Sequence, residues 1–193
     1  MFRSFLPMSV LRMTASAVVL ALACSTANAQ VEPIKVTGGG PAPEGFSPLP
    51  GADSPHSATG IATHLGKYSG KGVATVASFD FATGAGTFHG RYTFVTPSGD
   101  ELAVTYGNTD NGAAQVGTFQ LLPAGDGMVY AVFVAEFNPI LAECTGRFQN
   151  VIAGSFIMVA TTEPFPLELN EDGFTMPFNY SWEGSVWLEF RRP

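Results

Sequence analysis

The stretch Met128-Val129-Tyr130-Ala131-Val132-Phe133-Val134-Ala135-Glu136-Phe137 carries apolar side chains on both faces of an extended chain. In a strand, successive side chains point to opposite sides. One side therefore shows Met128, Tyr130, Val132 and Val134, and the other shows Val129, Ala131, Phe133, Ala135 and Phe137. A half-solvated antiparallel strand would alternate apolar with polar residues, so both faces of this one require cover. Closing the sheet into a barrel covers one face. A second copy of the chain, or a long loop, covers the other.

Outward from this segment, β-branched and alternating runs are punctuated by Gly, Asn, Asp and Pro, and no segment has a helical period. Strands are expected near residues 58–65, 71–81, 85–96, 101–106, 114–122, 128–137, 153–162 and 182–190. Hairpin turns are expected at Ser98-Gly99-Asp100 and Ala124-Gly125-Asp126-Gly127. The expected fold is all-β, a single antiparallel, eight-stranded closed barrel over residues 57–193. Residues 30–56 hold Pro33, Pro41, Pro43, Pro48, Pro50 and Pro55 and the run Gly38-Gly39-Gly40, which reads as a disordered tether.

Residues 1–29 read as a signal peptide. Arg3 and Arg12 precede an uncharged run from Thr14 to Ala23, and Ala27-Asn28-Ala29 offers a cleavage site. The apolar run is too short for a membrane span. A secreted or periplasmic protein is expected, with a lipid anchor on Cys24 as the alternative, since Leu22-Ala23 precedes that cysteine. Without the leader, seven bases face sixteen acids, a net charge near −9. Binding to nucleic acid requires a basic stripe, and the only basic pair is Arg191-Arg192. Cys144 is then the single thiol, which excludes an internal disulfide and reads as a buried small hydrophobe.

Three strings carry a resemblance: Ala62-Thr63-His64-Leu65-Gly66, Gly99-Asp100-Glu101-Leu102, and Thr145-Gly146-Arg147-Phe148 followed by Ala153-Gly154-Ser155. Together they resemble a group of exported bacterial proteins of unsettled function. The last string is similar to the Thr-Gly-basic-Phe turn of the allene oxide cyclase and dirigent proteins, calycin-like eight-stranded barrels with a central cavity. The resemblance implies a barrel with an interior that admits a ligand. The glycine after Arg147 comes one residue late for that turn, which implies an insertion or bulge between Phe148 and Gly154. No catalytic residue of those enzymes maps onto this chain, so their chemistry does not transfer.

Among candidate site residues, His89 and Arg91 share one side of a strand with Thr87 and Thr93, while Phe88, Tyr92 and Phe94 share the other. If the polar side faces inward, His89 and Arg91 can hold an oxygen-rich ligand, with Glu136 as base or hydrogen-bond partner. If the aromatic side faces inward, the pair lies outside; burial preference favours this arrangement. Arg147 is either a ligand contact or a scaffold group paired with Glu143 or Glu136. The loop from Glu163 to Tyr180 holds Phe165, Phe174 and Phe178 and reads as a lid or a plug. His56, His64 and His89 are scattered without metal-ligand spacing, and no cofactor motif is present. Three roles follow: a binder of a small apolar or amphipathic ligand, a structural protein that self-associates into a homo-oligomer, and an isomerase- or cyclase-like enzyme. Catalysis ranks below the other two, because it needs a converging constellation.

Overall fold

A computed structural model of the chain describes residues 30–63 and 65–191. Residues 1–29, on which the expected signal peptide and Cys24 fall, as well as His64, lie outside the described residues. The described residues form one antiparallel sheet of ten strands: β1 (Gln30–Ala42), β2 (Asp53–Ala62), β3 (Gly66–Asp80), β4 (Ala85–Val95), β5 (Glu101–Tyr106), β6 (Gly117–Gly125), β7 (Met128–Pro139), β8 (Val151–Thr162), β9 (Phe165–Pro166) and β10 (Phe178–Phe190). Among the described residues the only helical elements are three short 3-10 segments.

The pairing runs β1–β2–β3–β4 along the chain. β4 then pairs with β5 through Gly90–Val95 and with β6 through Ala85–Phe88. β5 and β6 thus share one place, and both pair with β7. From β7 the ladder passes to β8, to β10 and back to β1, so it returns to its starting strand. The short β9 lies beside the start of β7.

The tether expectation fails. Residues 30–42 pair along their whole length with β10, and β2 begins at Asp53, so the described fold starts at Gln30 rather than Ser57. Two physical features let a Pro/Gly-rich stretch form strand. β2 meets β1 only from Val36 to Gly39, so Pro33, Pro41 and Pro55 lie outside the doubly paired stretch and no ladder bond to a third strand is lost. In addition, Gly38 stands opposite Trp182, and a side chain there would run into the Trp182 indole nitrogen and the Tyr68 hydroxyl. A glycine there leaves room for a ring to lie against the backbone.

The same pairing recurs around the sheet. Gly60 faces Tyr68, Gly72 faces Tyr92, Gly90 faces Tyr106 and Gly86 faces Phe119. A strand glycine costs about 0.5–1 kcal/mol in chain entropy, less than the roughly 1.5–3 kcal/mol gained by burying one large apolar side chain. The exchange favours the fold wherever the ring is buried, as Tyr68, Tyr92, Tyr106 and Phe119 are. The strand count also departs from eight, because β1 was not anticipated and the two-residue β9 is too short to read from sequence.

Both expected hairpins form. Gly99 has φ +85°, and Gly125, Asp126 and Gly127 all take positive φ. Opposite Glu189 and Phe190 the register of β8 slips at Ile152, which supplies the bulge expected between Phe148 and Gly154. On β7, Ala131, Ala135 and Phe137 are buried in the core, while Val134 on the other face is exposed. Val134 pairs with Val159, and Ile157 and Trp187 are likewise exposed, so one chain leaves this outer apolar surface uncovered.

Candidate functional site

The strand faces that carry Phe88, Tyr92, Phe94, Phe137, Phe156 and Trp182 meet in one core. Rings fill most of it. Tyr92 packs edge-on to Phe94 and Trp182, each at 4.8 Å between centroids, and Phe137 stacks on Phe156 at 5.0 Å. Where the inward residues are instead Ala42, Ala74, Ala135 and Ala160, the rings do not meet and a cavity of about 80 Å³ remains. Roughly 10–15 Å³ on this scale admits one water. Drug-sized pockets run to about 300–1,000 Å³, so a long-chain ligand does not fit.

The cavity wall is apolar apart from a few side chains. Its tyrosines are engaged: Tyr106 Oη donates to the Val73 carbonyl at 2.8 Å, and Tyr180 Oη to the Ser57 carbonyl at 3.0 Å. Trp182 Nε1 donates to Tyr68 Oη at 2.7 Å. Burial pushes the Tyr68 phenol up to about 12 and raises Tyr92, Tyr106 and Tyr180 as well, so all four stay protonated. His56, on β2, stacks on Tyr92 at 5.6 Å and meets Tyr106 and Tyr180 edge-on. Although part of its surface stays accessible, the protein packed around it lowers the imidazole pKa from 6.5 to about 4, and the ring is neutral at ordinary pH.

One side of the cavity wall is formed by a residue that residue type in the sequence did not mark as a site candidate. Phe46, in the loop between β1 and β2, is buried and packs edge-on against Phe119 at 5.0 Å and Phe133 at 5.6 Å. Its amide donates to Thr175 Oγ1 and its carbonyl accepts from the Thr175 amide, both at 2.9 Å. Ser47 Oγ also donates to the Gly173 carbonyl. The 43–52 loop and the β9–β10 loop are thus laced together beside the cavity. The sequence signal was one aromatic residue inside an otherwise Pro/Gly-rich run.

Of the expected lid residues, Phe178 lines the cavity and Phe165 is buried behind it, stacked at 4.6 Å. Phe174 is half-buried and takes no part in the cavity wall. His89 and Arg91 lie on the outside of β4, since Phe88, Tyr92 and Phe94 take the inside. There they border a solvent-facing hollow with Asp53 and Glu143, and Arg91 is ion-paired with Glu143.

Glu136 is also on the outer face. It accepts from Ser155 Oγ at 2.5 Å and from the Ala114 amide at 2.6 Å, and these bonds, the serine's first, hold its carboxyl below the usual range. It binds the β5–β6 loop to the sheet. Arg147 meets neither Glu143 nor Glu136. Its Nε lies 3.4 Å from Asp100, an Nη donates to the Leu65 carbonyl at 3.2 Å, and the guanidinium sits over Phe148. These contacts join the β2–β3 and β4–β5 turns. His89, Arg91, Glu136 and Arg147 are therefore absent from the cavity wall: strand alternation places the first three outside, and Arg147 follows the Gly146 turn.

Cys144 is buried, with Sγ directed at the Ile140 and Ala103 carbonyls, and burial raises its pKa. Among the described residues no group of three or more His, Cys, Asp or Glu converges to hold a metal, and no helix is long and apolar enough to cross a membrane. Comparisons with protein-family models, with curated proteins and with solved structures found no match.

Proposed function

We propose that the protein is an exported barrel that binds a small apolar molecule inside its sheet. Supporting the barrel, the strand ladder returns to its first strand after eight places, and the side chains on one face of each strand form a common core. Supporting export, residues 1–29 carry the charged, apolar and small-residue pattern of a leader. The observation that carries the binding role is the gap left by Ala42, Ala74, Ala135 and Ala160 within a core otherwise packed with aromatic rings. Apolar cavities of this order stay dry and take up small apolar molecules, as an engineered cavity of ~150 Å³ takes up benzene. Catalysis would need reacting groups on the cavity wall. The carboxylate once considered for that role, Glu136, lies on the outer face.

Native mass spectrometry of the protein purified from its host tests this reading, together with heat denaturation in saturating toluene. A co-purifying small molecule, or a rise in melting temperature with toluene, supports the reading. An empty protein whose melting is unmoved by toluene overturns it.

A second role is favoured by the exposed surface of Val134, Ile157, Val159 and Trp187, contiguous across β7, β8 and β10. Burying it against another copy would supply the second cover that β7 lacks. Light scattering on the mature chain at micromolar concentration should give more than one subunit; a strict monomer would remove this role.

A further inference from the structure

We infer that the ligand of the cavity is a ring-sized molecule bearing a hydroxyl or another hydrogen-bond donor, and that it is held by His56 Nε2. The inference rests on the proposal that the cavity binds a small molecule, and it adds the chemical class.

The imidazole has two nitrogens, and the structure gives one of them a role. Nδ1 lies 3.4 Å from the Ser54 carbonyl oxygen. A carbonyl can only accept, so Nδ1 carries the proton and Nε2 presents a lone pair. No donor in the described residues is bonded to Nε2. The other polar side chains on the wall each already hold a partner within the protein. Tyr106 and Tyr180 donate to carbonyls, and Trp182 donates to Tyr68. Thr162 Oγ1 accepts from the Ala131 amide, and Ser54 Oγ accepts from the Ser47 amide. Those oxygens keep further lone pairs, but each already bonds within the protein, whereas Nε2 has no donor bonded to it among the described residues. Because Nε2 keeps some accessible surface, an entering donor gains a hydrogen bond there that an apolar ring of equal size cannot make. The aromatic rings that flank His56 fit a flat guest.

The test compares phenol with toluene, which have nearly the same shape and differ in the donor. Each is titrated into the full mature protein and into the variant His56→Phe, by calorimetry. In the native protein phenol should gain over toluene by about tenfold relative to the same ratio in the variant, the size expected of one hydrogen bond. A second readout needs no variant: the 15N resonance of the unprotonated imidazole nitrogen of His56 should move on addition of phenol and not of toluene. If both molecules bind with a ratio unaltered by the variant and the nitrogen does not respond, His56 is not the anchor, though the cavity reading stands. If neither binds, the cavity reading itself falls, and this inference with it.

Discussion

Trp182 Nε1 donates to Tyr68 Oη, and the same phenol donates to the Thr37 carbonyl at 3.0 Å, so one hydroxyl links β10, β3 and β1. Both partners depend on it. In Tyr68→Phe the indole N–H and the carbonyl lose their partner, which should destabilise the fold by about 1–3 kcal/mol. Urea denaturation followed by tryptophan fluorescence checks this; a midpoint equal to that of the native protein would show that water replaces the hydroxyl.

The glycine–ring pairing can be probed at Gly72. A methyl group there would come within 2.5 Å of Tyr92 Cδ2. Forcing the ring aside should cost about 1–3 kcal/mol, the usual range for overpacking. Gly72→Ala should therefore lower the denaturation midpoint, whereas Gly99→Ser, in a turn with open space around the glycine, acts only through its backbone angle. Equal near-ultraviolet circular dichroism for Gly72→Ala and the native protein would show that the ring has not moved.

Acid should weaken the fold through His56. Its folded pKa is lowered to about 4, against 6.5 for the unfolded ring. Between these values the unfolded chain holds more protons, so the contribution is fully present above pH 6.5 and is lost as pH falls toward 4. The slope from one such group is at most about 1.4 kcal/mol per pH unit. Denaturation at pH 7, 5.5 and 4.5 should show the native protein losing more stability than His56→Phe; parallel losses would mean that the ring already takes up its proton in the fold.

Filling the cavity separates binding from stability. Ala135→Val adds two methyl groups to the wall on a strand that suits β-branched residues. The expected result is unchanged or slightly higher melting temperature with loss of toluene uptake. Uptake at native strength would place the ligand elsewhere.

Substitutions on the outer face should leave the cavity alone. His89→Ala and Arg91→Ala should bind toluene as the native protein does, because both side chains lie across the sheet from the cavity. Glu136→Ala should do likewise, with faster amide exchange at Ala114 once its acceptor is gone. Weakened toluene binding in any of the three would contradict the strand orientation.

The two-sided pattern of residues 128–137 and the aromatic face of Phe88, Tyr92 and Phe94 were legible in the sequence, because strand alternation sorts side chains without knowledge of neighbours. The strand at Gln30–Ala42 was not. Local propensity argues against Gly38-Gly39-Gly40 and the flanking prolines, and what overrides it is the ladder to β10 with Trp182 against Gly38, far along the chain. The site was hidden for the same reason. His56 and Phe46 sit among prolines, and only the register of β2 on β3 and the bonds of Phe46 to Thr175 bring them to the cavity. Conversely His89 and Arg91 drew notice by residue type, while the burial preference of Phe88, Tyr92 and Phe94 on the same strand already favoured placing them outside; for Glu136 residue type gave no side of the sheet.

The seam of the ring joins β1 to β10, the strands most distant in sequence, with Gln30 opposite Phe190. Such a fold has a high contact order: the entropy of closing the longest loop must be met before its last ladder forms. Synthesis from the N-terminus therefore yields an open sheet with β1 lacking its longer partner until Phe178–Phe190 is free. Closure comes late, and slow folding with two exposed edges in the meantime is the kinetic consequence.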